Sequence, residues 1–362
     1  MPANTQPRRD RVAAERRFLV APSRVMTCTA LNFRHRLSRI IPCIRSRTAE
    51  ASGVPGAIMQ APAMVKYADF LICESTYGDR RHDTADPGRK LADVVNLTIA
   101  RGGSVIVPSF AVGRAQALMH LVERLKAGGA IPPTLPVYLN SPMAIDVTTL
   151  CQRFIADHRL TADECAKMCA AAKIVNSVDE SKALNASSWP KLIIAGSGMA
   201  TGGRVLHHLR AYAPDPRSTI LLTGYQAGGT RGRALQDGAQ SIKLFGEYVP
   251  VRAEIASLDN LSAHADYAEI LDWLRNFERA PRMTFVTHGE PAAADALDAH
   301  RRKTRLDVLR SRIFGCRVSR LIATDRMVLA PMTRAQRSRA RCRACRTQSS
   351  WQLPHGASRC RT

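Results

Sequence analysis

The sequence predicts an α/β fold built on largely parallel sheets. Three observations carry that reading. Short apolar runs alternate with longer stretches of helical spacing between residues 60 and 300. The short runs read as buried strands. Three of them pass straight into loops of small residues that end on an Arg, the arrangement of a ligand crevice at strand carboxyl ends.

Taken in order, Ala68–Cys73 is a short apolar run and a strand, and Lys90–Ala100 has apolar positions at helical spacing. Ser104–Val107 is a strand, Ala115–Leu125 a helix and Pro136–Leu139 a strand. Residues 142–170 read as mostly helical, followed by a short strand near Lys173–Val175. Leu192–Ala195 is a strand, Val205–Tyr212 a helix and Ile220–Thr223 a strand. Ile242–Phe245 and Val249–Ile255 read as two strands paired across a turn. Tyr267–Phe277 is a helix with Trp273 on its apolar side, Met283–Val286 a strand and Ala292–Arg301 a helix.

The 362 residues carry a formal charge of +23, but the charge is not evenly spread. Residues 1–51 hold 11 Arg, no Lys and 3 acids; residues 301–362 hold 17 basic residues and 2 acids. These ends account for the whole surplus, and the middle is neutral. The run Arg334, Arg337, Arg339, Arg341, Arg343, Arg346 has neither acidic partners nor sustained apolar period, so irregular ends are expected. A basic tail gripping phosphates is the functional alternative. A shifted reading frame in the coding sequence would also produce such Arg-rich, Lys-poor ends. Hydrophobic content of 45% supports a substantial core. No uncharged apolar run reaches the roughly 18 residues a membrane span needs, so no membrane partner is expected.

The ten cysteines show no disulfide framework. Cys342 and Cys345 form a C-x-x-C without a second pair, and Cys165 and Cys169 read as small core residues. The expected compartment is reducing and cytoplasmic. Arg16-Arg17 precedes an apolar stretch that Pro22 and Arg24 end too soon for an export signal.

The first of the three loops, Pro108–Arg114, offers Ser109 and Arg114. The second, Gly196–Arg204, offers Ser197, Gly198, Thr201, Gly202 and Arg204. The third, Gly224–Arg233, offers Tyr225, Gln226, Thr230 and Arg233. Small residues let backbone N–H groups approach an oxyanion, and Arg adds bidentate phosphate contacts. One such loop is usually just a turn. Three in one domain point to an extended phosphate-binding groove. No G-x-x-x-x-G-K-[ST] occurs, and the glycines of Gly198–Gly203 lack dinucleotide spacing, so a row of phosphates fits better than one nucleotide.

Three ionisable residues stand at the ends of apolar runs or beside a helix start. Glu74 opens Glu-Ser-Thr-Tyr-Gly-Asp, His264 lies in Ser-Ala-His-Ala-Asp and His288 opens His-Gly-Glu. Imidazole can ligate a metal or transfer a proton near neutral pH, and a carboxylate can orient it. Taken singly, each has an ordinary explanation: Glu74 as a cap or surface residue, His264 as a helix-start residue, His288 as a turn histidine.

Together these segments resemble a known family. Glu74–Asp79 with Arg80 and His82, Pro108–Arg114 with Gln116, Ser141-Pro142-Met143-Ala144, Gly198–Arg204, Gly224–Arg233, Ser262–Asp266 and His288-Gly289-Glu290 stand in the order found in the β-CASP branch of the metallo-β-lactamase fold. The match is closest to the bacterial ribonucleases with an RNA-specificity domain. The resemblance implies a partial αββα sandwich with a Rossmann-like β-CASP domain. Residues 52–87 would be a sandwich remnant, 88–238 the β-CASP domain and 239–300 the closing sandwich segment. It implies zinc-dependent hydrolysis of RNA phosphodiesters at a two-zinc site. Glu74 would support the catalytic histidine, His264 would protonate the leaving oxygen and His288 would ligate zinc. The family's His-x-His-x-Asp-His string is absent from these residues, and Asn140 stands where Asp is usual. The expectation is therefore a truncated copy with an incomplete zinc site and little or no activity, or a noncatalytic RNA-binding module. A homodimer and a separate chain carrying the missing half are the further partner expectations.

Overall fold

The computed structural model describes residues 18–20, 58–60, 64–66, 68, 70–278, 281 and 283–303. The Arg-rich run from Arg334, Cys342 and Cys345, the Arg16-Arg17 pair and most of the two flanks lie outside these residues. Within the first flank, Phe18–Val20 form strand β1.

Six parallel strands make the larger sheet. In chain order they are β3 (Val105–Pro108), β4 (Val137–Asn140), β5 (Lys173–Ile174), β6 (Leu192–Ala195), β7 (Thr219–Leu222) and β10 (Glu254–Ser257), and they lie in the order β10-β7-β3-β6-β4-β5. The continuous apolar runs now have their reason, because both faces of the sheet are covered. Val105, Val107, Leu192, Ile194 and Leu221 point into one core with helices α1 (Pro87–Ala100), α2 (Arg114–Ala127), α3 (Pro142–Arg153) and α4 (Ala162–Ala170). Ile106, Ile193, Ile220 and Leu222 point into the other, with α5 (Val178–Ala186), α6 (Val205–Tyr212) and α7 (Arg231–Gln236). Each fully buried Ile or Leu contributes about 1.5–3 kcal/mol. Cys165 joins the first core as expected, and Cys169 packs at its edge. The four cysteines among the described residues are free thiols.

Residues 142–170 are mostly helical, as expected, with a 3-10 turn at Ile155–Asp157 between α3 and α4, and Thr161 starts α4 with a capping box to Glu164. One expectation changes. Residues 249–255 are not one strand. β8 (Ser241–Leu244) and β9 (Glu247–Pro250) pair antiparallel, but the chain then turns, with Arg252 and Ala253 N–H donating to Ala213 O. Val251 N–H makes the last bond of that pair, to Gln240 O, before the chain leaves it. Residues 254–257 instead join the large sheet, parallel to β7.

A smaller sheet has the order β1-β2-β11, with β2 spanning Phe70–Glu74 and β11 Met283–Thr287. Helices α8 (Tyr267–Leu274) and α9 (Pro291–Lys303) accompany it. Leu71, Cys73, Ile270, Leu271, Trp273, Phe277, Val286 and Leu297 form its core. Among the described residues no helix is long and apolar enough to cross a membrane.

Candidate active site

β2 and β11 are parallel neighbours in register, so Thr287 stands opposite Glu74 and His288 follows at the same sheet edge. A bridge between Tyr77 and Asp266 brings the 262–266 segment alongside. Asp266 then caps α8 through Ala268 and Glu269 N–H, which fixes the backbone two residues beyond His264. Three segments distant in sequence thus converge. One ligand atom from each of Glu74, His264 and His288 lies within 4.8 Å of the others.

The bonds inside this group assign its roles. Glu74 is buried, and its Oε2 accepts from His264 Nδ1 at 2.7 Å and from the Thr76 hydroxyl at 2.8 Å. Its Oε1 accepts from Ala265 N–H at 3.2 Å. A carboxylate can only accept, so His264 carries its proton on Nδ1 and turns Nε2 away from Glu74. Thr76 Oγ1 also lies 2.9 Å from His288 O and 3.2 Å from His288 Nδ1. With the single hydroxyl proton drawn to Glu74 Oε2 or His288 O, His288 Nδ1–H donates to Thr76, and its Nε2 keeps the lone pair. Burial, reinforced by the neighbouring His264, holds the His288 imidazole below its ordinary value.

His288 has φ +59°, in the left-handed region. The next residue must be Gly, since a Cβ at Gly289 would sit 2.4 Å from Ser75 O. These contacts hold the His-Gly-Glu turn against the Glu-Ser-Thr segment.

Thr76 and His82 were not legible as site residues. His82 Nε2 donates to His264 O at 2.8 Å and its backbone N–H to Asp266 Oδ2 at 2.9 Å, so it braces the His264 loop. The only signal for either was membership of the motif that begins at Glu74.

The donor set does not by itself fit a zinc ion. Both Glu74 oxygens are engaged by Thr76, His264 and Ala265, which leaves two outward imidazole nitrogens. A catalytic zinc takes about three protein ligands. Among the described residues there is no second cluster of His, Cys, Asp and Glu able to hold a metal.

The three small-residue loops also meet, because β7, β3 and β6 are adjacent strands. Ser109 N–H donates to Ala195 O, Gln226 Nε2 to Gly198 O and Gly232 N–H to Met199 O. Ser109 is buried and its hydroxyl donates to Phe110 O. Ser197 Oγ accepts from Thr201 and Gly202 N–H and shapes the second loop. Thr230 caps α7 through Arg233 N–H. Two of the three arginines are spent inside the domain. Arg114 is buried and donates to Thr223 O. Arg204 donates to Asn140 Oδ1, Val175 O and Asn176 O. Arg233 is the one at the surface, beside Asp237.

Arg233, Tyr225 and Gln226 line a cavity of about 360 Å³ together with Tyr77, Arg80, Arg81 and His82. Tyr77 and Tyr225 meet edge to face at 5.7 Å, and Arg80 lies over the Tyr77 ring. Burial pushes the Tyr77 hydroxyl up to about 12. The cavity adjoins the Glu74–His264–His288 group through His82. Its lining joins two tyrosines and three arginines to Asp83 and Asp259, and Arg80 and Arg233 are themselves paired with Asp79 and Asp237.

Two family models match in tandem, the Beta-Casp domain over residues 115–235 and the Zn-dependent metallo-hydrolase RNA specificity domain over 248–309. This chain belongs to the β-CASP branch of the metallo-β-lactamase fold. Its β-CASP relatives include "Ribonuclease TTHA0252" of Thermus thermophilus, 36% identical over 241 residues, 64% of this chain and 54% of that protein. "Transcription termination factor FttA" of Pyrococcus abyssi is 32% identical over 262 residues, 67% of this chain and 40% of its own. An "RNase J-like protein" of Methanocaldococcus jannaschii is 32% identical over 251 residues, 66% of this chain and 56% of its own. The β-CASP chain described here thus spans about half the length of these relatives.

Proposed function

We propose that this chain binds single-stranded RNA in the Arg80–Tyr225–Arg233 cavity and carries the proton-donating part of a metal-dependent phosphodiester hydrolase. The observation that carries this reading is His264, clamped at Nδ1 by buried Glu74 at 2.7 Å beside His288, which leaves Nε2 without a partner among the described residues. With Nε2 also protonated, the ring is an imidazolium that Glu74 stabilises and orients, and delivery of the Nε2 proton to the leaving oxygen returns it to the neutral Nδ1–H form. Arg80, Arg81 and Arg233 position the strand through its phosphates, and Tyr77 and Tyr225 offer stacking surface.

When bound, zinc in this family activates water and polarises the phosphoryl group. His288 Nε2 would serve as one ligand, and the others would have to come from outside the residues described, either a further segment or a separate chain. Residues 88–238 act as the β-CASP domain and 239–300 as the closing segment. We place the activity in the cytoplasm and allow for a homodimer.

The shortage of outward donors supports a second reading, a noncatalytic RNA-binding module. Zinc content and cleavage of an end-labelled RNA by the full chain separate the two. The expected result is fewer than two zinc ions per chain and little turnover. Two bound zincs with turnover would overturn the partial-site reading. In that event His264→Ala abolishes cleavage with modest change in RNA affinity.

A further inference from the structure

One carboxylate joins the loop Gly224–Arg233 to the turn His288–Glu290. Gly228 N–H donates to Glu290 Oε1 at 3.2 Å, and the Tyr225 hydroxyl is hydrogen-bonded to the same side chain. Arg80 and Arg233, which line the adjoining cavity, add positive potential there. A backbone N–H and a hydroxyl under positive potential are what a phosphodiester oxygen uses, while Arg80 and Arg233 themselves donate to Asp79 and Asp237. Glu290 is exposed, so no packing compels it to stay.

We propose that Glu290 is an internal stand-in for a substrate phosphate: its carboxylate occupies the cradle of Tyr225 and Gly228, within the field of Arg80 and Arg233, and an RNA phosphodiester enters by displacing it. The inference rests on RNA being the ligand of this cleft. A carboxylate and a phosphate oxygen compete for the same donors and repel each other, so the native protein binds RNA against its own side chain. A plain strut between the two segments would behave in the opposite way, because its loss would weaken binding.

Fluorescence anisotropy with an end-labelled oligouridylate, run on the full chain over a salt series, tests this. Glu290→Gln is expected to bind on the order of tenfold tighter than wild type. Its salt dependence should steepen by about 0.7 in log Kd against log salt, the increment for one more phosphate contact on a single strand. Glu290→Asp keeps the charge and should remain near wild type, and Glu290→Ala should follow Glu290→Gln. Wild-type binding with unchanged or weaker binding by Glu290→Gln and Glu290→Ala overturns the stand-in while leaving RNA as the ligand. Folded wild type and folded variants that all fail to bind overturn the RNA reading and this inference with it.

Discussion

Asn140→Asp should reverse the acid sensitivity of a buried histidine. His208 is fully buried on α6, between Asn140 Nδ2 at 2.7 Å from its Nε2 and Asn185 Oδ1 at 2.6 Å from its Nδ1. The amide donates to Nε2, so the ring must be neutral, with its proton on Nδ1. Burial first, then the nearby His207, Arg204 and Lys191, lowers His208 to about 4. An unfolded His titrates near 6.5. Between those values the unfolded chain binds the extra proton, so native stability is full above 6.5 and falls as pH drops toward 4. At about 1.4 kcal/mol per pH unit the loss is about 3 kcal/mol. Below about pH 4 both states are protonated and the loss stops growing.

Aspartate at 140 would replace the donating amide with an acceptor, still beside Arg204 Nη1 at 2.8 Å. His208 Nε2–H would then have a partner, and its folded value would rise above 6.5. Stability from that pair is present at low pH and is lost as pH rises through the new value. Urea unfolding at about pH 7 and about pH 4.5 measures both proteins. Asn140→Asp should gain on wild type by about 3 kcal/mol between those conditions. A difference that stays constant across the two pH values would refute the assignment, as would a ring titration by NMR that leaves His208 unmoved.

Two further outcomes follow from the site. Thr76→Val removes the hydroxyl shared by Glu74 and His288; it should cost about 1–3 kcal/mol in denaturant unfolding, with Thr76→Ser recovering most of it. Gly289→Ala drives a Cβ to 2.4 Å from the Ser75 backbone; it should cost about 3 kcal/mol, read as a drop in Tm of several degrees. A Gly289→Ala protein that melts with wild type would mean the turn is looser than drawn.

The α/β class and the strand positions were legible because buried parallel strands are uniformly apolar. Ile106, Ile193 and Ile220 are buried wherever their neighbours point, so composition alone exposes them. Glu74, His264 and His288 stood out because an ionisable residue after an apolar run is conspicuous, and the family resemblance gave them roles. The strand at Glu254–Ser257 was not legible. Its partner is β7, more than thirty residues earlier, and local pattern carries no pairing information.

The arginines divide along the same line. Sequence alone determined that Arg114, Arg204 and Arg233 close small-residue loops, since backbone freedom and charge are local properties of the chain. Only the tertiary structure decided that Arg114 and Arg204 spend their donors on carbonyl oxygens of the domain while Arg233 reaches the cavity. It likewise decided that Thr76 is the hinge of the Glu74–His288 contact. The reason is physical: hydrogen-bond partners are set by which segments the sheets bring within 3 Å or so, and that juxtaposition exists only once the β2–β11 and β7–β3–β6 neighbours have formed.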